Sequence, residues 1–111
     1  MATENDLYSI LGLCQKAGKL VSGGDLVEDA IRSRKARLVI LSEDIGESML
    51  KRFTDKTAFY GVDLIRFGTK DLIGSNIGKG PRSAVAITDK GFAGSFTKKY
   101  QTIHPGVNYI G

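Results

Sequence analysis

The run Arg37-Leu38-Val39-Ile40-Leu41-Ser42 constrains the fold of this chain more than any other stretch. Consecutive aliphatic residues leave the segment no polar face, so it reads as a central strand covered on both sides. Ala84–Thr88 repeats the pattern. Val39, Ile40, Leu41, Val85, Ala86 and Ile87 are therefore the expected core. Strands of this kind need helices on both faces, and the rest of the sequence supplies them. Thr3 with Asp6 forms a capping-box pattern ahead of Leu7, Ile10, Leu11 and Cys14, which predicts a first helix to about Lys16, stopped by Gly18. Leu20–Ser22 is a short strand, and Leu26, Val27, Ala30 and Ile31 recur at helical spacing in a second helix of about Asp25–Ser33. A third helix covers about Gly46–Tyr60, with Met49, Leu50, Phe53 and Thr57 facing in and Gly61 as its end signal. Asp63–Phe67 is a strand. Thr69 caps a short helix containing Leu72, Ile73 and Ile77, and Asp89 caps a last helix with Phe92, Ala93, Phe96 and Tyr100 on one face. The tail Gln101–Gly111, with Pro105 and two glycines, reads as irregular. The alternation predicts an α/β protein with helices on both faces of a small sheet, and 111 residues suit one domain, 1–111.

Composition excludes much chemistry. With one cysteine and one histidine, the chain has no ligand set for zinc and no internal disulfide. That points to a reducing compartment, the cytoplasm. Cys14 lies on the apolar face of the first helix, as a small hydrophobe rather than a nucleophile. No run is long enough to span a membrane, and Met1–Asp6 is too polar and acidic for a signal peptide. A hydrolase triad would have to use His104 beside Pro105, a poor support for rigid geometry. Gly12…Gly18-Lys19 and Gly74…Gly78-Lys79-Gly80 both miss the phosphate-loop spacing, and Ser22-Gly23-Gly24-Asp25 lacks the third glycine of a dinucleotide fingerprint. Glu43-Asp44 ends a core strand, but both carboxylates suit the positive end of the following helix better than catalysis. No catalytic residue, metal, cofactor or small-molecule substrate is expected.

Binding is the better-supported class. In Lys19–Ile31 a strand runs into two glycines and an acidic cap candidate, Asp25, and a helix follows. Such a junction collects unpaired backbone N–H groups, which attract anions. The formal net charge is +4, and the cations cluster at Lys16-Lys19, Arg32-Arg34-Lys35-Arg37, Lys51-Arg52, Lys79-Arg82 and Lys98-Lys99. This distribution suits a nucleic-acid footprint.

Ala17-Gly18-Lys19-Leu20, Gly23 with its following helix, Ala36–Asp44 and Ser83–Ile87 together resemble the L-seven-Ae / L-thirty-e ribosomal protein family. Val21-Ser22-Gly23, Ser75–Lys79 and Thr88–Ala93 are similar more narrowly to its bacterial YlxQ branch. The likeness spans about residues 5–100. It implies a three-layer α/β/α sandwich around a four-stranded mixed sheet, and RNA binding, typically at kink-turns, through two neighbouring loops. In the family the first loop is a Gly-x-Asn-Glu-x-x-Lys segment. Here Gly23 keeps the glycine, Asp25 stands at the Asn position, Leu26 at the Glu and Asp29 at the Lys. The second loop corresponds to Ile77-Gly78-Lys79-Gly80-Pro81-Arg82. The resemblance thus implies an RNA site at Gly23, Asp25, Leu26, Asp29 and this second loop; backbone donors at Gly23, Gly24 and Asp25 can meet phosphates or base edges, and Lys19, Lys79 and Arg82 supply charge if the fold brings the two loops together. Ribosomal RNA or another kinked RNA is the implied partner. The alternative is a protein-interaction module on the same fold, in which Leu26 and the acidic Glu28-Asp29 face a protein.

Overall fold

Local signals set most element boundaries in the computed structural model, which describes residues 2–106. The Thr3 N–H donates to the Asp6 carboxylate at 2.9 Å and opens helix α1, Glu4–Lys16. Gly18, at φ +72°, ends it: the Gly18 N–H reaches the Gln15 carbonyl at 3.0 Å and the Lys19 N–H reaches Cys14 at 2.9 Å. This paired closure satisfies two otherwise orphaned carbonyls. Strand β1 (Leu20–Ser22) and helix α2 (Gly24–Arg32) follow, then β2 (Leu38–Leu41), α3 (Glu47–Tyr60), β3 (Asp63–Arg66), α4 (Lys70–Asn76), β4 (Ala84–Ile87) and α5 (Lys90–Ile103). Thr69 Oγ1 accepts from Leu72 N–H at 3.3 Å, and Asp89 Oδ2 accepts from Phe92 N–H at 2.9 Å, so both predicted caps form.

The strands lie in the order β1-β4-β2-β3, with β2 parallel to β3 and β4 antiparallel to both β1 and β2. Side chains alternate across the pleat. Leu38 and Ile40 join Val85, Ile87 and Ile65 beneath α1, α4 and α5, while Val39, Leu41, Ala84 and Ala86 face α2 and α3. The two apolar clusters make the three-layer α/β/α sandwich that the resemblance implied. All six predicted core residues are fully buried.

Three readings change. Helix α5 continues through Ile103, so Gln101–Ile103 are helical rather than irregular. Ile103 sits three residues beyond buried Tyr100, extends the same apolar face and packs against the core. The helix stops at His104, whose backbone leaves the helical region ahead of Pro105, as the residue before proline must. Residues 107–111 of the predicted tail lie outside the described ones. Asp44 does not serve α3, the helix that follows it. Its Oδ1 accepts from the Lys70 N–H at 3.0 Å, at the first turn of α4, while Gly46 takes the N-cap of α3. Asp25 is not a cap either; helix α2 starts one residue earlier, with Gly23 as its N-cap.

Cys14 is fully buried, and its Sγ donates to the Lys19 carbonyl at 3.1 Å. Burial, and next the charge of Asp89, push its thiol up to about 11. The native state therefore holds this proton more tightly than the unfolded chain does. The stability it contributes is complete below pH 9.0 and is lost as the pH rises through about 11. We expect chemical-denaturation midpoints to fall across that window and the fall to be smaller in Cys14→Ala. Native Cys14 should also react with a thiol reagent at neutral pH only as fast as the protein opens. Rapid stoichiometric labelling of the folded protein would contradict this.

Candidate nucleic-acid interface

Because β1, β2 and β3 run the same way, their C-terminal ends share one edge of the sheet with the start of β4. At this edge Gly23 takes φ +96° and ψ 149°, a conformation that a side chain would strain. Its N–H donates to the Ala84 carbonyl at 3.0 Å and ties the turn to β4. Helix α2 begins immediately behind it. The N–H groups of Gly24, Asp25 and Leu26 are the first donors of that helix and have no protein acceptor among the described residues. They point their partial positive charge off the edge of the fold.

The loop before β4 is pressed against the same edge. Ile77 closes α4, Gly78 turns at φ +74°, and the Lys79 N–H reaches back to the Gly74 carbonyl at 2.9 Å. Gly74 makes the approach possible: a Cβ there would lie 2.0 Å from the Gly80 carbonyl oxygen. Arg82 then bridges the two segments. Its N–H donates to the Lys70 carbonyl at 3.0 Å, its Nε to Ser22 Oγ at 3.3 Å, and its Nη1 to the Pro81 and Gly80 carbonyls at 3.0 and 3.3 Å. The guanidinium is thereby held in place, with no carboxylate within 4.0 Å among the described residues. Lys79 is likewise free of ion pairs and exposed.

One rim therefore gathers Gly23, Gly24, Asp25, Leu26, Gly78, Lys79, Gly80, Pro81 and Arg82. Leu26 adds apolar surface, 57% exposed, and Asp25 is exposed beside it. Asp29 is exposed one turn further along α2 and ion-paired with Arg32. Two sequence-predicted residues belong elsewhere. Ile77 is only 6% exposed and packs in the core beneath α1, α4 and α5 rather than presenting itself to a ligand. Lys19 precedes β1, and its carbonyl accepts from Thr88 at the far end of β4, so the sheet separates it from Gly23. Gly74 and the Ser22 hydroxyl were missed. A glycine inside a seven-residue helix was the available signal, since it costs roughly 1 kcal/mol against alanine unless something must come close.

Among the described residues no group of His, Cys, Asp and Glu is arranged to hold a metal, and no helix is long and apolar enough to cross a membrane. An α/β/α sandwich with a rim that combines free helix-start amides and two unpaired cations has the make-up of a binding surface for an anionic partner. The chain belongs to the ribosomal protein L7Ae/L30e/S12e/Gadd45 family, whose model matches residues 5–97. Within it the chain is similar to the RNA-binding protein YlxQ of Bacillus subtilis (strain 168), 43% identical over 86 residues, covering 78% of this chain and 86% of that one. It is also similar to the RNA-binding protein YlxQ of Enterococcus faecium, 36% identical over 85 residues and 77% and 82% of the two chains. Among solved structures, a Bacillus halodurans protein of unknown function superposes with a TM-score of 0.81 at 31% identity, covering 84% of this chain and 94% of that one. The 15.5 kD RNA binding protein of Giardia lamblia shares the fold, with a TM-score of 0.76, 15% identity and 93% and 88% coverage. These relationships place the chain in the YlxQ-like branch that the sequence resembled, in a family of non-enzymatic proteins.

Proposed function

We propose that this protein binds RNA at the rim built from Gly23–Leu26 and Gly78–Arg82, and that it recognises a kinked, kink-turn-like RNA by shape and backbone contact. The observation that carries the reading is the joining of the two segments by Arg82. Free amides at a helix start and two unpaired cations stand together on a preorganised edge, where phosphates and exposed base edges can meet both. The RNA-binding relatives support RNA as the partner class. We place this activity on ribosomal RNA, or another RNA carrying such a kink, in the cytoplasm.

The same geometry weighs against a protein-docking role for the acidic stretch of α2. The Glu28 side chain is only 16% exposed and is engaged by Arg32, Arg52 and Lys56, with the Arg52 Nε at 2.6 Å. Asp29 is engaged by Arg32. Little acidic charge is left for a partner.

Titration against a kink-turn duplex and a control with its sheared G·A pairs disrupted tests the reading. Binding should favour the kink-turn by roughly 1–3 kcal/mol for each recovered base-edge contact. Arg82→Ala and Lys79→Ala should each weaken it and lower the salt slope by about one. Equal affinity for the two duplexes would refute recognition of the kink.

A further inference from the structure

The opposite edge of the sheet carries a second concentration of charge. There the pairing lays the segment before β1, the end of β4 and the segment before β2 side by side: Thr88 N–H donates to the Lys19 carbonyl at 2.9 Å and Arg37 N–H to the Ile87 carbonyl at 2.8 Å. Lys19 and Arg37 are thus two strand spacings apart, roughly 10 Å. Helix α5 starts beside them. Its Lys90, Gly94, Thr97 and Lys98 fall at helical spacing along one side and, with Arg37 and Asp63, line an open groove of about 460 Å³. Gly94 contributes no side chain, and nothing lies within 4 Å of where its Cβ would be, so the floor is open. Lys19, Lys35, Arg37, Lys90 and Lys98 are all exposed, and none has a carboxylate within 4.0 Å among the described residues. Asp63 is the one acid in the groove's lining among the described residues, and Asp89, whose carboxylate accepts from the Phe92 N–H at 2.9 Å, adds a second negative charge nearby.

Unpaired cations around an open groove, with no aromatic platform in its lining, fit a sugar–phosphate backbone rather than a base or a peptide. We propose that this edge is a second RNA-backbone contact, which holds an arm of the RNA whose bend engages the Gly23–Arg82 rim. The proposal rests on the RNA reading above. The four-residue strands separate the two edges by roughly 13 Å. The described residues measure 35 × 31 × 26 Å, so the proposal requires the RNA to bend around the molecule from one edge to the other. Lys19, which the rim excludes, finds its place here.

The test uses the full chain and three RNAs: a kink-turn with arms of about 16 base pairs, the same kink-turn with arms cut to a few pairs, and an unkinked duplex. The triple variant Arg37→Ala/Lys90→Ala/Lys98→Ala should lose about tenfold or more in affinity for the long-armed and unkinked RNAs, with a salt slope lower by about two to three. Its affinity for the short-armed kink-turn should hold. Gly94→Glu, which sets a carboxylate on the open floor without crowding the fold, should weaken the long-armed complex in the same sense. Wild-type affinity and slope in both variants would overturn the second contact, yet leave the rim intact if the long-armed kink-turn still outbinds the unkinked duplex. Equal losses on long and short arms would also overturn it, by putting the groove at the kink. Failure of the wild type to bind any of the three would overturn both readings together.

Discussion

Ile40→Ala is expected to lower stability by roughly 2–5 kcal/mol. Ile40 is fully buried in β2, directly between Val85 of β4 and Ile65 of β3. Its side chain lies in the cluster that Leu7, Leu11, Ile73 and Phe96 close from above. Truncation removes the transfer free energy of the lost methylenes and leaves a cavity that three helices, anchored elsewhere, cannot collapse to fill. No polar group is exposed by the change, so the whole effect is burial and packing. Equilibrium urea unfolding measures it, with the midpoint shifted and the m-value unchanged. A cost below about 1 kcal/mol would mean that β2 is not the central, doubly covered strand.

Gly74→Ala should reverse the sign that helix propensity alone predicts. In a free helix the change is worth about 1 kcal/mol in favour of alanine. Here the new methyl would lie 2.0 Å from the Gly80 carbonyl oxygen and 2.7 Å from its carbon, both backbone atoms that cannot rotate away. Relief requires the Gly78–Arg82 loop to move off α4, which breaks the Lys79–Gly74 hydrogen bond and frees Arg82 from Ser22. Overpacking of this kind costs about 1–3 kcal/mol, and RNA affinity should fall with it. Gly94→Ala is the control: it too is inside a helix, with nothing within 4 Å of the added carbon. It should stabilise by roughly 0.4–1 kcal/mol. Thermal melts of the two variants, with RNA titration of the first, check both signs. A Gly74→Ala protein as stable as wild type, with unchanged binding, would show that the loop is not held by this contact.

The elements were legible wherever one stretch of chain decides them. Leu38–Leu41 and Ala84–Ile87 have no polar face, so only a doubly covered strand suits them. Thr3, Thr69 and Asp89 cap their helices through neighbours a few residues away. What the sequence hid depends on distant pairing. Asp44 bonds an amide 26 residues on, which no local pattern encodes. Lys19 and Gly23 flank the same three-residue strand, yet only the antiparallel match of β1 with β4 shows that they stand at opposite edges. Ile77 sits among loop residues and resembles a contact residue, but helix α4 turns it into the core. The rim glycines were readable because positive φ at Gly23 and Gly78 is a local demand. The groove at the other edge was not, because Arg37 and Lys90 meet only once the sheet is assembled.

Amide chemical-shift mapping of the isotope-labelled protein with a short-armed kink-turn RNA tests the rim most directly. The largest perturbations should fall on Gly23, Gly24, Asp25, Leu26, Lys79, Gly80 and Arg82, and should shrink when the sheared G·A pairs are disrupted. A complex that forms while those amides stay unmoved would contradict the assignment of the RNA site to this edge.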